Sequence, residues 1–258
     1  MIEHPPSRIA PLEGGFNFRD IGGYLTQDGR RVRWGQVFRS GSMATLTPSD
    51  QQHMADLGIR VICDFRSSRE RAARPTNWSD SHAVVHWNRE HEGSVGELVA
   101  ALRAPQASAA SMRARMIDVY RTLPYEQADA YREVFRRIAD SDLPLIFHCA
   151  AGKDRTGIAA ALLLTTLEVP RHTVMEDYLL TERFFEEGCR LVFGEPSSRR
   201  HADIDPSVWE PMMRAEADYL EAMFATLGER HGGVPGYLRQ VLGVDEPLIQ
   251  RLRQQLLE

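Results

Sequence analysis

Leu143-Pro144-Leu145-Ile146-Phe147-His148-Cys149-Ala150-Ala151-Gly152-Lys153-Asp154-Arg155-Thr156-Gly157 is the stretch that decides how this chain is read. Leu143 to Phe147 is a short apolar run, the pattern of a fully buried strand. Ile158 to Leu164 follows at once, rich in strong helix formers and apolar nearly all round, which predicts a buried helix. His148 to Gly157 is then a strand-to-helix turn. Such a turn aims backbone N–H groups and the positive end of a helix dipole at whatever sits in it. Cys149 opens the turn and Arg155 closes it, with five residues between them. Orphan N–H groups, a helix N-terminus, Lys153 and Arg155 all favour the thiolate over the thiol. The same groups would hold a tetrahedral anion in front of the sulfur. An anion cradle with a nucleophile at its floor reads as phosphoryl transfer through a cysteinyl-phosphate.

The rest of the composition restricts the alternatives. A length of 258 residues suits a single α/β domain spanning 1–258, with room for an insertion. Hydrophobic content of 43% and charged content of 26% are those of an ordinary globular protein. A net charge of -5 argues against nucleic acid as a partner. Cys63, Cys149 and Cys189 are too few and scattered for a disulfide framework, and no Cys/His spacing resembles a zinc site, so no metal or cofactor is expected. The N-terminus shows no secretory pattern, and Ile158 to Leu167 is about half of what a membrane span needs. No stable membrane anchor is expected, and a cytoplasmic location is the default, with leaderless export left open. A Walker A loop fails, because Phe147 and Asp154 stand where glycine and Ser or Thr are required.

Cys-x5-Arg followed by Thr-Gly resembles the phosphate loop of the protein tyrosine phosphatase superfamily. Together with Asn17-Phe18-Arg19-Asp20-Ile21-Gly22-Gly23 near the N-terminus, it is similar to a mycobacterial type of bacterial phosphatase family acting on phosphotyrosine and phosphoinositides. The resemblance implies a tyrosine-phosphatase-like α/β fold with a central, mostly parallel sheet flanked by helices. It implies phosphotyrosine proteins or phosphoinositides as substrates and inorganic phosphate as product. It also places the Arg19 segment close to the catalytic loop, where Arg19 would either help a phosphate or tie the segment down through Asp20. Two other readings of the loop stand beside it: a rhodanese-like sulfurtransferase and a catalytically silent phosphate-binding module.

In the phosphatase reading, Cys149 attacks phosphorus and Arg155 offers its planar fork to the phosphoryl oxygens. Backbone N–H groups from Ala150, Ala151, Gly152 and Lys153 to Arg155 complete the cradle, and the Thr156 hydroxyl assists the sulfur as leaving group. His148 is read as orienting the loop. Lys153 adds a cation, as in phosphoinositide 3-phosphatases, which extends the expected range to charged head groups. No Trp-Pro-Asp tripeptide supplies a general acid. The family pattern implies Asp154, with Asp64 as the runner-up because it ends the strand Ile59 to Arg66. Arg66 ends that same strand, and in open α/β sheets chemistry gathers at the carboxyl ends of strands.

Elsewhere the signals are local. Thr47-Pro48-Ser49-Asp50 predicts a capped helix running to Leu57. Gln36 to Arg39 and Ala83 to Trp87 read as strands, and Asp28-Gly29 as a hairpin turn. The weak pattern from His91 to Ser111 suggests an insertion or lid, extending as helix to about Leu123. Helices are expected over Ala128 to Ile138, Val174 to Gly188, Val208 to Leu227 and Leu248 to Leu257, with a polar surface loop between Gly194 and Pro206.

Overall fold

Val61, Cys63 and Phe65 share a core with Leu145 and Phe147, while Ile62 and Ile146 pack into a second one with Phe38. This two-residue alternation is what strands buried on both faces must show. The computed structural model describes residues 8–79, 83–92, 95–193 and 204–258. Its sheet comprises β1 (Arg19–Asp20), β2 (Val37–Ser40), β3 (Val61–Asp64), β4 (Val85–Asn88) and β5 (Leu145–His148), in the order β1-β2-β5-β3-β4. β1 runs antiparallel to β2 and every other pairing is parallel. The helices are α1 (Pro48–Asp56), α2 (Ser68–Ala73), α3 (Val95–Leu102), α4 (Ala109–Glu126), α5 (Ala128–Ala139) and α6 (Asp154–Thr166). There follow α7 (Arg171–Leu179), α8 (Phe185–Phe193), α9 (Pro206–Met213), α10 (Ala217–His231), α11 (Val234–Tyr237) and α12 (Glu246–Leu256).

The larger core joins α4, α5, α6, α7, α10 and α12 to one face of the sheet. The smaller one joins Met43, Leu46 and α1 through Met54 to the other. The result is the α/β architecture expected, a mostly parallel sheet between helices. β5 lies at its centre, and the register sets Ser40 and Asp64 opposite His148. Three strands therefore end level with one another where the loop from Cys149 to Lys153 begins.

Capping explains α1 well. The Thr47 side chain accepts from the Asp50 N–H, the Asp50 carboxylate takes the Thr47 N–H, and Pro48 fills the first helical position. The same box recurs at α2, where Ser67 and Glu70 cap each other. Two expected helices are broken instead. The one predicted from Val174 to Gly188 ends at Leu179, and a 3₁₀ turn over Leu180–Phe184 leads into α8. The one predicted from Val208 to Leu227 splits into α9 and α10. Its break has a physical cause: Lys153 takes the carbonyls of Met212 and Arg214, and Glu182 takes the Ala215 N–H. Those backbone groups are satisfied from outside, so a continuous helix is not needed to pair them.

The stretch expected as a lid comprises α3 and most of α4. Met116, Tyr120 and Leu123 sit in the main core, while Met112 joins Ala101 and Leu102 in a satellite cluster with Cys189, Trp209 and Met213. The expected polar loop from Gly194 lies outside the described residues as far as residue 203, as does the beginning of the N-terminal arm. No described helix is long and apolar enough to cross a membrane.

Candidate active site

The loop between β5 and α6 is held from behind by its carbonyls. Ala150 O accepts from the Ser42 N–H at 2.9 Å. Asn17 Nδ2 donates to Ala151 O at 3.0 Å and to Gly152 O at 3.1 Å, and Arg39 Nη2 donates to Gly152 O at 2.9 Å. With these carbonyls fixed on one side, the amides are left for the other. Among the described residues, no backbone N–H from Ala150 to Thr156 finds a protein acceptor; the first in α6 to do so is Gly157, bonded to Lys153 O. A run of free N–H groups at a helix N-terminus is an anion cradle. Gly152 makes the curvature feasible. Its φ is +66°, and a Cβ there would come within 2.6 Å of Ser40 O.

Behind this contact lies a buried charge cluster. Arg39 Nη1 meets Asp177 Oδ2 at 2.5 Å, and Arg19 Nε meets Asp177 Oδ1 at 3.3 Å. Arg19 also donates to Asn17, to Asp177 O and to Thr181 Oγ1. Burial and the neighbouring Arg39 lower Arg19 to about 10 against the pull of Asp177. Burial would raise Asp177, yet its two arginines bring it to about 2. Arg19 is thus tied to α7. Asp20, the tether in one of the two readings of this segment, instead accepts from the Gly22 and Gly35 N–H groups.

Arg155 stands at the start of α6, opposite Glu70 of α2. Its Nη1 donates to Glu70 Oε2 at 2.7 Å and to Phe65 O at 3.2 Å, and its Nη2 to Glu70 Oε1 at 2.8 Å. A guanidinium has five N–H donors. The two left over, Nε–H and one on Nη2, lie along a single edge of the plane, the geometry for gripping an oxyanion side-on. Burial works against the Glu70 carboxylate, but the hydrogen bonds from Arg155 and Ser67 hold it down at about 2.

Asp64 and Arg66 face each other. Asp64 accepts from Arg66 Nε at 3.0 Å and Nη2 at 2.7 Å, and from the Arg66 backbone N–H at 2.9 Å. His148 Nε2 lies 3.6 Å from Asp64. Burial works against the Asp64 carboxylate, but His148 beside it and the Arg66 guanidinium and N–H that bond it hold it below the usual carboxylate range, while burial lowers His148 itself. The remaining Arg66 donors go to Arg74 O, Thr76 Oγ1 and, at 3.5 Å, Ser42 Oγ.

Lys153 is 2% exposed. Its ammonium donates to Met212 O and, at 3.1 Å, to Arg214 O, with the Tyr219 ring 5.9 Å away. Asp154 Oδ1 lies 3.3 Å from the same ammonium, and this side chain remains 26% exposed. Thr156 is fully buried and its hydroxyl has no hydrogen-bond partner. Cys149 is 1% exposed; Cys63 is buried as the small hydrophobe expected, its thiol pushed up to about 12.

A cavity of about 190 Å³ opens beside the loop, lined by Ser42, Arg66, Glu70, Arg74, Ala150 and Leu191 among others. A larger one of about 450 Å³ is lined by Glu182, Glu210, Glu216 and Arg214 and by no residue of the loop. Three carboxylates suit a phosphate ester badly, so the smaller cavity is the candidate substrate site. Arg39, Glu70 and Asp177 complete this arrangement and were not singled out from the sequence, while Asn17 entered only as the first residue of the N-terminal motif. The Ser67-x-x-Glu70 capping box and an arginine inside an apolar strand were the available signals for two of them.

Comparison with known proteins gives relatives along nearly the whole length. The chain is 34% identical over 233 residues to a candidate tyrosine-protein phosphatase of Cupriavidus necator, covering 89% of this chain and 82% of that one. It is 27% identical over 282 residues to the triple specificity protein phosphatase PtpB of Mycobacterium tuberculosis, covering 96% and 99%. A tyrosine-protein phosphatase of Nostoc commune is 28% identical over 228 residues, covering 84% and 73%. The tyrosine phosphatase family profile matches residues 10–258, a span that takes in the cradle and both segments bracing it from behind. By sequence and fold together, the chain belongs to the tyrosine phosphatase family.

Proposed function

We propose that this tyrosine phosphatase hydrolyses phosphotyrosine, without a metal ion, through a cysteinyl-phosphate. The observation that carries the mechanism is the run of N–H groups from Ala150 to Thr156 with no protein acceptor, in the loop that begins at Cys149 and contains Arg155 with one edge of its guanidinium uncommitted. In the first step Cys149 Sγ forms a bond to phosphorus as the bond to the aryl oxygen breaks. Asp154 supplies the proton that the leaving oxygen needs. Asp64 is held ionised by Arg66 and has none to give at neutral pH. In the second step water attacks phosphorus, the P–S bond breaks and inorganic phosphate leaves, the water's proton going to Asp154 and the Thr156 hydroxyl assisting the departing thiolate. Backbone amides and Arg155 bear the charge on the equatorial oxygens throughout. His148 and Asp64 with Arg66 shape the strand ends beneath.

Phosphoinositides are the second substrate class, supported by the resemblance and by the relative whose name declares triple specificity. For Lys153 to serve a head group, its ammonium must leave the carbonyls of Met212 and Arg214. A Lys153→Ala variant should therefore be compared on lipid and on peptide substrates.

Acid quench during turnover of a radiolabelled aryl phosphate should leave phosphorus on Cys149, with activity persisting in excess chelator and blocked by vanadate. Cys149→Ser should abolish turnover and keep phosphate binding. Tight phosphopeptide binding with no phosphate release would favour the silent module. Faster thiocyanate formation from thiosulfate and cyanide than cleavage of any ester would favour the sulfurtransferase.

A further inference from the structure

Almost every cation around the loop has an internal partner. Lys153 is held by two carbonyls, Arg19 and Arg39 by Asp177, Arg66 by Asp64, Arg155 by Glu70, and Arg71 by Glu90. Arg74 differs. Its backbone is fixed, the N–H donating to Glu70 O at 3.0 Å and the carbonyl accepting from Arg66 Nη1 at 2.7 Å. Its side chain is exposed and, among the described residues, makes no hydrogen bond or ion pair. It lines the cavity that also contains Ala150 of the loop and Glu70, the clamp on Arg155. Since Arg66 and Glu70 are each neutralised by their partners, Arg74 supplies the surplus charge of this cavity.

We propose, resting on the phosphatase reading above, that Arg74 determines specificity: its guanidinium receives a carboxylate flanking the phosphotyrosine of a peptide substrate. The planar fork matches a carboxylate in two parallel hydrogen bonds. One uncommitted cation suits one additional negative charge, whereas a head group with several further phosphates would need several. The backbone anchors hold the main chain of Arg74 in place at the cavity wall, and from there its side chain can reach a residue that flanks the phosphotyrosine.

The test uses two phosphotyrosine peptides that differ only by Glu or Gln beside the phosphotyrosine, together with a small aryl phosphate. Wild type should prefer the Glu peptide about five- to tenfold, mostly in KM, as expected for a partly exposed charge-assisted pair. Arg74→Ala should abolish the preference, Arg74→Glu should invert it, and added salt should shrink it in wild type. Arg69→Ala is the control, an exposed arginine on α2, the helix that ends just before Arg74, and it does not line the cavity. In Arg74→Ala, cleavage of the Glu peptide should fall more than cleavage of the small aryl phosphate, which carries no flanking carboxylate, and Arg69→Ala should change neither. Equal cleavage of both peptides by wild type, or a preference surviving in Arg74→Ala, overturns the proposal. A loss in Arg74→Ala on a phosphoinositide with none on the Glu peptide also overturns it, in favour of a head-group phosphate. Absence of aryl phosphate turnover by wild type would refute the phosphatase reading alone. Peptide affinities measured by fluorescence anisotropy would then still decide the Arg74 assignment.

Discussion

Glu70→Gln removes the counter-charge from Arg155 while keeping the size of the side chain. The Glu70 carboxyl sits at about 2 against an ordinary 4.5. At about 1.36 kcal/mol per pKa unit, that gap corresponds to roughly 3 kcal/mol of preference for the ionised form. Because the folded value is depressed, this stabilisation is fully present above about pH 4.5 and is lost as pH falls toward 2. Urea unfolding at pH 6 should therefore show the variant about 3 kcal/mol less stable, with the difference from wild type narrowing steadily below pH 4.5. Activity should fall too, since the amide can no longer grip both Nη atoms and present the Nε edge. A displacement of the fork by about 1 Å is enough to cost on the order of a hundredfold in kcat. Aryl phosphate kinetics and unfolding on the same preparation separate the effects. Lost stability with unchanged kcat would show that Glu70 only holds the fold. A variant matching wild type in both would refute the reasoning entirely.

Asp154→Asn should remove the limb of the pH–rate profile that reports the proton donor, and Asp64→Asn should leave it in place. The reverse result would make Asp64 the acid despite its bond to Arg66. Asp177→Asn leaves Arg19 and Arg39 buried without a counter-ion and should cost about 3–5 kcal/mol in chemical denaturation. A change below about 1 kcal/mol there would mean that the cluster does not brace the loop.

The strand, loop and helix around Cys149 were legible because each is specified locally, by an apolar run, by turn-forming residues and by strong helix formers. The capped start of α1 was legible for the same reason, with Thr47, Pro48 and Asp50 adjacent in the chain. The partners of the charged residues were not. Nothing near Arg19 indicates that its carboxylate stands on α7 rather than next door at Asp20, and nothing near Lys153 indicates that the α9–α10 break will take its ammonium. Amphipathic spacing from Val208 to Leu227 reads as one helix, since spacing reports which face is buried and not which backbone groups find tertiary partners. Likewise, Cys149 and Arg155 could be identified from their motif, whereas the motif that contains Asn17 and the apolar strand that contains Arg39 do not indicate that these two side chains reach the carbonyls of the loop.

The bracing of the loop has a consequence for vectorial synthesis. Asn17 reaches carbonyls 134 and 135 residues further along, and Arg19 meets its carboxylate 158 residues away. Closures of such high contact order carry the largest loop entropy and form slowly. A nascent chain that has already delivered Cys149 and Arg155 from the ribosome still lacks Asp177, and so lacks the ion that seats Arg19 and Arg39. Cys149 is thus translated before the loop it opens can be braced from behind. Chains ending short of α7 would carry the whole motif without the shape that makes it work.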